Sequence, residues 1–184
     1  MDKPKIEKAI KMLLEAVGAN LKVKDIAKTP KRVAAMYEEI LAGQFKDASS
    51  ELEVVLEQKH DEIILLKGIP LYSLCEHHLL PFLGRAHIAY IPDKRITGLS
   101  KIARVVDILA RRLQVQERLT TEIASVIMKK LKPKGVMVVI EAEHLCMSMR
   151  GVKKPGTLTT TSVVRGVFRT NQKTRQEALS LMKP

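Results

Sequence analysis

The spacing of apolar residues changes along this chain from helical to strand-like and back, and the order of these changes restricts the possible folds. Helical spacing is found at residues 4–18 and 29–43, and again over residues 100–131 with a break near Gln114 to Gln116. Strand-like runs stand between and after these segments, at residues 62–67, 86–91, 136–149 and 158–168. Because the strands come in pairs on either side of a helical pair, antiparallel hairpins are favoured over an alternating parallel sheet. The sequence therefore predicts an α+β fold.

The helices at the start of the chain predict an N-terminal helical arm over residues 1–50, followed by a domain over residues 51–184. A chain of 184 residues with 46% hydrophobic content can bury one substantial core. Its first residues place charges at helical intervals among apolar ones, which is typical of neither a secretory signal nor a membrane span. We therefore expect a cytoplasmic protein that has no membrane partner.

Positive charge is concentrated in the second half of the chain. Residues 1–84 carry 12 Lys plus Arg and 13 Asp plus Glu, whereas residues 85–184 carry 20 and 7. Such a basic half could attract nucleic acid, a membrane surface or a small polyanion, or could simply be a solvated face. With three Phe, three Tyr and no Trp, the chain offers few rings for stacking nucleotide bases. A compact anionic ligand is therefore favoured over nucleic acid.

Cysteine and histidine occur together in two places, CEHH at residues 75–78 and HLC at residues 144–146. Cys75 and His78 are separated by two residues, a spacing at which one turn of backbone can direct both side chains to one metal ion. If the strand over residues 136–149 is regular, His144 and Cys146 lie on the same face of it. Cys75, His78 and Cys146 would then give zinc three protein ligands and leave the fourth position open for water.

On this interpretation His77 and His144 are free for proton transfer. The alternatives are a closed structural zinc site, with His77 or His144 as the fourth ligand, or two buried thiols without a metal. His60 and His87 have no cysteine neighbour at ligand spacing, and we expect them to be a surface loop residue and a strand residue, respectively.

A possible phosphate site begins the helix at residues 98–112, where Ser100 lies near the cap and Lys101 and Arg104 share a face. The same pattern is found in ordinary exposed helices. Arg150 strengthens the hypothesis, because regular strand spacing would place it on the face of His144 and Cys146, near the proposed metal.

Gln116 and Glu117 stand at the start of another predicted helix. A carboxylate at this position can accept two hydrogen bonds from a ligand, although helix capping is the simpler local explanation.

These segments together resemble the signature blocks of the type I GTP cyclohydrolase family, in order and at the family's spacing. The resemblance extends from about Thr29 to Ala178 and is carried by five blocks: CEHHLLPF at 75–82, GLSKIAR at 98–104, LQVQERLT at 113–120, HLCMSMRG at 144–151 and TTTSVVRGVF at 159–168. Their length and unusual chemistry make the match far more specific than a single short motif.

The resemblance implies the tunnelling fold, in which each subunit contributes an antiparallel four-stranded sheet backed by two helices. Five subunits then close into a ring, and two rings stack into a homodecamer with active sites between subunits. It also implies that GTP is the substrate and that the guanine imidazole ring is opened, giving 7,8-dihydroneopterin triphosphate and formate in the first step of folate and pterin biosynthesis.

Residue roles follow from the same resemblance. One Zn²⁺ per subunit would be held by Cys75, His78 and Cys146. His144 would protonate the purine nitrogen next to carbon 8, with His77 assisting proton transfer and Ser100 near the ribose. The residues implied to bind substrate are Gln116 and Glu117 at the guanine edge, and Arg32, Lys101, Arg104 and Arg150 at the triphosphate.

One departure from the family pattern is Ala35, which stands where many members have lysine, so one phosphate contact is missing or is replaced by Lys31. The arm before Thr29 is also short.

Two other functions fit parts of the pattern: a binding module of the same fold, and a basic nucleic-acid-binding protein with a structural zinc. A module that only binds its ligand has no need of His77 and His144 for proton transfer, and their presence disfavours the first of these functions. Basic residues in patterned helix and strand positions, instead of a basic helix or finger, disfavour the second.

Overall fold

The computed structural model describes residues 1–52, 56–57 and 60–183, and the chain divides into two compact units, Met1–Ala42 and Gly43–Pro184. The N-terminal unit contains α1 (Lys3–Ala16), α2 (Lys24–Ala27) and α3 (Thr29–Ile40). The Asp2 carboxylate caps α1 by accepting a hydrogen bond from the Lys5 backbone N–H at 3.0 Å. Pro30 suits the first turn of α3, where a backbone N–H would have no helical partner.

The C-terminal unit interleaves strands and helices. In chain order it contains a 3₁₀ turn (Ala48–Leu52), β1 (Leu56–Glu57), β2 (Ile64–Cys75), β3 (Pro81–Ile91), β4 (Arg95–Ile96), α4 (Leu99–Ala110), β5 (Leu113–Gln114), α5 (Gln116–Leu131), β6 (Gly135–His144), α6 (Leu145–Ser148), β7 (Leu158–Gly166), α7 (Val167–Thr170) and α8 (Gln172–Met182). This order confirms the predicted α+β class.

The main sheet of the described residues has the strand order β5–β2–β3–β6–β7. The pairs β2–β3, β3–β6 and β6–β7 are antiparallel, and the short β5 lies parallel to the end of β2. The four long strands confirm the predicted antiparallel sheet, to which β5 adds a fifth. β2 extends further than predicted because the chain passes Gly68, at φ 73°, with a shift of register between Leu66 and Ile69, and then continues as a strand.

Helices α4 and α5 pack on one face of the sheet, which confirms the predicted pair of backing helices. The fully buried core between them and the sheet includes Ile102, Val106, Leu119, Ile123, Phe82, Ile88 and Ile140. Phe168 of α7 and Ala178 of α8 pack on the other face, against Ala89 and Met137. This core fixes the end of β2, the end of β6 and the start of α5, where Cys75, His144, Gln116 and Glu117 are found.

Strand β6 ends at His144, so the predicted strand over residues 136–149 was wrong from Leu145 onward. The apolar alternation continues, but the backbone turns into α6, in which the Met149 N–H donates to the Leu145 carbonyl at 3.0 Å. Ser148 Oγ stabilises this turn by donating to the Glu143 carboxylate at 2.6 Å. Cys146 and Arg150 therefore do not share a strand face with His144, and another geometry must bring them to the site.

The described part of the chain contains no helix with the length and apolar character that crossing a membrane requires.

Candidate metal centre and active site

Cys75, His78 and Cys146 converge at the end of the sheet. Cys75 is the last residue of β2 and is buried, and the chain then makes a tight turn that brings back His78. In this turn the Cys75 carbonyl accepts the Leu79 N–H at 2.9 Å, and the Cys75 N–H donates to the Leu80 carbonyl at 2.9 Å. Cys146 reaches the same point from α6, where it is the second residue after the end of β6.

The arrangement of these three side chains fits a metal ion. One ligand atom from each lies within 4.8 Å of the other two, and Cys75 Sγ is 3.9 Å from His78 Nδ1. Sulfur and nitrogen ligands of a tetrahedral zinc ion stand about 3.6 Å apart, given its usual bond lengths. Burial, and then the neighbouring Cys75, raise the pKa of the Cys146 thiol. A divalent cation favours the thiolate and offsets this effect, so the group could hold a metal ion.

His77 points its Nδ1 at Cys75 as well, at 3.7 Å from Sγ, but it does not belong to the three-residue group in the described part of the chain. Its side chain is 63% exposed, and its Nε2 lies 3.9 Å from the Glu76 carboxylate. The structure thus places His77 beside the cluster and open to solvent, and its role in proton transfer stays a prediction.

His144 is held at the end of β6 by two neighbours. Its ring stacks on Phe82 of β3, with the centroids 4.7 Å apart and the planes at 9°, and its Nε2 lies 2.7 Å from Gln116 Oε1. Burial lowers the pKa of His144, and the nearby Glu117 carboxylate partly opposes this effect. The imidazole is therefore fixed in position and lies close enough to the Glu117 carboxylate for its pKa to be affected.

The hydrogen bonds of Gln116 determine which nitrogen of His144 carries a proton when the ring is neutral. The buried Gln116 Nε2 donates to the carbonyls of Ile140 and Thr159, at 3.0 and 2.9 Å. Because carbonyl oxygens only accept, Oε1 must be the atom that faces His144, and His144 Nε2 must donate to it. Nδ1 is then the nitrogen of His144 that can exchange a proton with a ligand.

Gln116 and Glu117 are adjacent in sequence but point in different directions. The Gln116 side chain is buried and bonded to its own chain, whereas Glu117 is exposed in the first turn of α5. The structure therefore does not bring the two side chains to one surface. Contact of these two residues with a guanine edge stays a prediction. Of the two side chains, only that of Glu117 is exposed and could accept hydrogen bonds from a ligand.

Within the described chain, Ser100 does not cap α4, and neither Gln116 nor Glu117 caps α5. The caps are Gly98 for α4 and Val115 for α5, and neither start has a side-chain capping hydrogen bond. Ser100 is instead the second residue of α4 and is exposed, as Glu117 is on α5.

The predicted phosphate ligands are distributed over several elements. Lys101 Nζ and Arg104 Nη1 lie 3.7 and 3.6 Å from the Glu51 carboxylate, so a carboxylate stands between the two cations of α4. Arg150 Nη1 donates to His78 Nε2 at 3.0 Å, which places a guanidinium directly beside the cluster. Arg32 is exposed on α3 of the N-terminal unit.

The two histidines predicted to be outside the site have ordinary surroundings. His60 is exposed outside any helix or strand. His87 lies in β3, where its Nδ1 accepts the Gly68 N–H at 3.3 Å, and burial lowers its pKa.

Sequence reasoning missed several residues that shape the site. Phe82 was present in the CEHHLLPF block, but nothing in the sequence indicated that it would stack on His144. Glu51 lies outside all five blocks. Gln114 and Arg118 lie inside LQVQERLT, where spacing alone gives them no role.

Comparison with known proteins finds one family, and the matches cover nearly the whole chain. The sequence profile of the GTP cyclohydrolase I family matches residues 6–183. A protein of Carboxydothermus hydrogenoformans named GTP cyclohydrolase 1 is 59% identical over 183 residues, which are 99% of this chain and 95% of that protein. Proteins of the same name from Thermoanaerobacter pseudethanolicus and Mycobacterium avium are 59% and 56% identical, over 99% and 98% of this chain and 97% and 90% of their own length.

A crystal structure of the archaeosine synthase QueF-Like in the apo form is also similar, with a TM-score of 0.47 and 13% identity over 59% of this chain and 97% of that chain. The family profile and the long matches at high identity confirm the family and the enzyme class predicted from the sequence. This chain belongs to the GTP cyclohydrolase I family.

Proposed function

We propose that this chain catalyses the zinc-dependent hydrolysis of GTP, opening the guanine imidazole ring and forming 7,8-dihydroneopterin triphosphate with release of formate. The observation that carries the proposal is the convergence of Cys75, His78 and Cys146 in a chain of this family, in which β6 also ends at a fixed ring, that of His144. The reaction would serve folate and pterin biosynthesis, in the cytoplasm. Incubation with GTP, followed by formate release and pteridine-like absorbance, tests it directly.

Zinc suits this donor set because two thiolates and one imidazole are ligands that it prefers, and three protein ligands are typical of a catalytic zinc site. Cys75, His78 and Cys146 would hold one ion per subunit. When bound, such an ion supplies a Lewis acid that activates water for attack on carbon 8 of the purine.

Proton transfer is assigned to the histidines that are not ligands. His144 would protonate the ring nitrogen next to carbon 8 from its Nδ1, since its Nε2 proton is engaged by Gln116 Oε1. Burial lowers the pKa of His144, which makes its protonated form a stronger acid, and the Glu117 carboxylate partly opposes this lowering. His77 would assist from the exposed side of the cluster, and Ser100 would contact the ribose during the later rearrangement.

Substrate recognition would use charge at both ends of the nucleotide. Glu117 has two carboxylate oxygens that can accept hydrogen bonds from the guanine edge, and it lies close enough to His144 to influence its pKa. Lys101, Arg104, Arg150 and Arg32 would bind the triphosphate through charge-assisted hydrogen bonds. Glu51 would be displaced from Lys101 and Arg104 by the stronger negative charge of the phosphates.

Assembly into two stacked pentameric rings, with active sites between subunits, is part of the same proposal. β7 is the last strand of the sheet, and β2 is bordered by the two-residue β5, so most of both outer edges lack a strand partner within the described chain. Exposed sheet edges readily pair with another chain. Head-to-tail pairing of β7 with the β2 edge of a neighbouring subunit would cover both edges and could close a ring.

Lys101→Ala and Arg150→Ala are each expected to raise the apparent KM for GTP by about 10- to 100-fold, because each removes a charge-assisted phosphate contact. The KM for guanosine, which lacks the triphosphate, should change little. Steady-state kinetics with both compounds measures the difference, and Lys173→Ala, an exposed lysine on α8, is the matched control. Equal losses for GTP and guanosine would contradict the phosphate assignment and would indicate a defect in folding or metal binding.

A further inference from the structure

The turn that carries Cys75 and His78 is tied to the start of α5 by a set of polar contacts, which we name the Glu76 clamp: Glu76, Gln114 and Arg118. Arg118 Nη2 donates to the Glu76 carboxylate, and Arg118 Nε donates to Gln114 Oε1 at 3.0 Å. The Glu76 N–H donates to the Gln114 carbonyl at 3.0 Å. Glu76 is thus held through both its side chain and its backbone.

Gln114 is the fixed point of the clamp. It is 1% exposed, and its Nε2 donates to the Leu109 carbonyl at 3.2 Å and to the Glu122 carboxylate at 2.9 Å. Both of these partners only accept, so the orientation of the Gln114 amide is determined and Oε1 must face Arg118. Gln114 is also joined to the end of β2, because it pairs with Cys75 in the sheet.

The turn needs external support because its own backbone is strained. Leu79 has φ 53°, a conformation that a leucine adopts at a cost. Local hydrogen bonds close the turn, because the Cys75 carbonyl accepts the N–H groups of His78 and Leu79 and the Cys75 N–H donates to the Leu80 carbonyl. Glu76 instead bonds outside the turn, through its N–H to Gln114 and through its carboxylate to Arg118. Glu76 lies between both predicted ligands of the turn, one residue after Cys75 and two before His78, and the clamp acts on this residue.

We propose that Gln114 and Arg118 position the metal-binding turn through Glu76, so that Cys75 and His78 are held at the spacing that a metal ion requires. This rests on the metal site of the proposed function. Arg118 and Glu76 are positioning residues, because neither offers an atom to the metal group. An exposed ion pair contributes little to overall stability, and the side chains of Arg118 and Glu76 are 42% and 34% exposed. The clamp should therefore act on metal affinity much more than on folding.

Metal affinity of the full-length protein tests this proposal, measured with Zn²⁺ against a chromophoric chelator and with no nucleotide present. Arg118→Gln is expected to weaken Zn²⁺ binding by about 10- to 100-fold, the range usual for residues that orient metal ligands. Arg118→Lys keeps the charge but has one nitrogen in place of the guanidinium fork, so it should recover only part of the affinity. Arg175→Gln, which removes an exposed arginine from α8, is the matched control and should bind Zn²⁺ like the wild type.

A second variant separates positioning from a general effect on folding. Glu76→Gln should lose about as much affinity as Arg118→Gln, and the double variant should lose no more than Arg118→Gln alone, since both substitutions break the Arg118–Glu76 contact through which Arg118 acts on the turn. The melting temperatures of the metal-depleted variants should match that of Arg175→Gln. Unchanged Zn²⁺ affinity in both single variants would overturn the clamp while leaving the metal assignment intact. A wild type that binds no stoichiometric Zn²⁺ would overturn both.

Discussion

His144→Ala is expected to keep its zinc and its assembly, and to lose GTP turnover by about two to four orders of magnitude, the range usual for removal of a positioned acid or base. The physical reason is the fixed geometry of the ring. Phe82 stacks on it, Gln116 engages its Nε2, and Nδ1 is left as the nitrogen that can deliver a proton. Zinc content and the rate of formate release, measured on the same preparation, check both parts of the result.

The matched control is His60→Ala, which removes an exposed histidine outside the site and should leave zinc content and turnover unchanged. Loss of zinc together with activity in His144→Ala would show instead that His144 is the fourth ligand of a closed site. Wild-type activity in zinc-loaded His144→Ala would contradict both roles and would move proton transfer to His77.

Cys146→Ser is expected to lose most of its bound zinc, because a serine hydroxyl does not ionise near neutral pH and is a far poorer zinc ligand than a thiolate. Turnover should fall with the metal. Metal analysis of the purified variant measures the effect. His77→Ala serves as the control, since His77 lies beside Cys75 but does not belong to the group of converging ligands in the described chain, and it should keep its zinc. Full zinc content in Cys146→Ser would show that the ligand set is wrong.

The fold could be predicted from the sequence wherever one periodicity dominates a segment. The helices α4 and α5 bury regular apolar stripes, and the break between them is marked by Gln114, so both helices and their separation were predicted. The end of β6 was not predicted, because alternation continues through Leu145 and Met147 while local hydrogen bonds form a helical turn. Hydrogen bonds of this kind leave no periodic signal.

The three residues predicted to bind a metal do come together in the structure and could hold an ion, although the strand geometry expected for Cys146 was wrong. Cys75 and His78 converge through the turn, as their spacing indicates. Cys146 joins them from α6 and not from the face of a strand. The residue types and the family resemblance therefore carried more information here than strand geometry.

Contacts made by buried amides could not be predicted from the sequence. Gln114 in β5 and Gln116 at the start of α5 are polar residues, and nothing local indicates that both are 1% exposed. Their partners, the carbonyls of Ile140 and Thr159 for Gln116 and the Glu122 carboxylate for Gln114, come into reach only when the sheet and α5 pack together. Roles that depend on packing of this kind require a structure.

The most direct test of the account is incubation of the zinc-loaded protein with GTP, with formate and pteridine-like absorbance followed together. We expect formate in an amount equal to the GTP consumed, a parallel rise in absorbance, and loss of both signals after zinc is removed by a chelator. GTP that stays intact in the presence of the zinc-loaded protein, or that is converted to GDP and phosphate without formate, would contradict it.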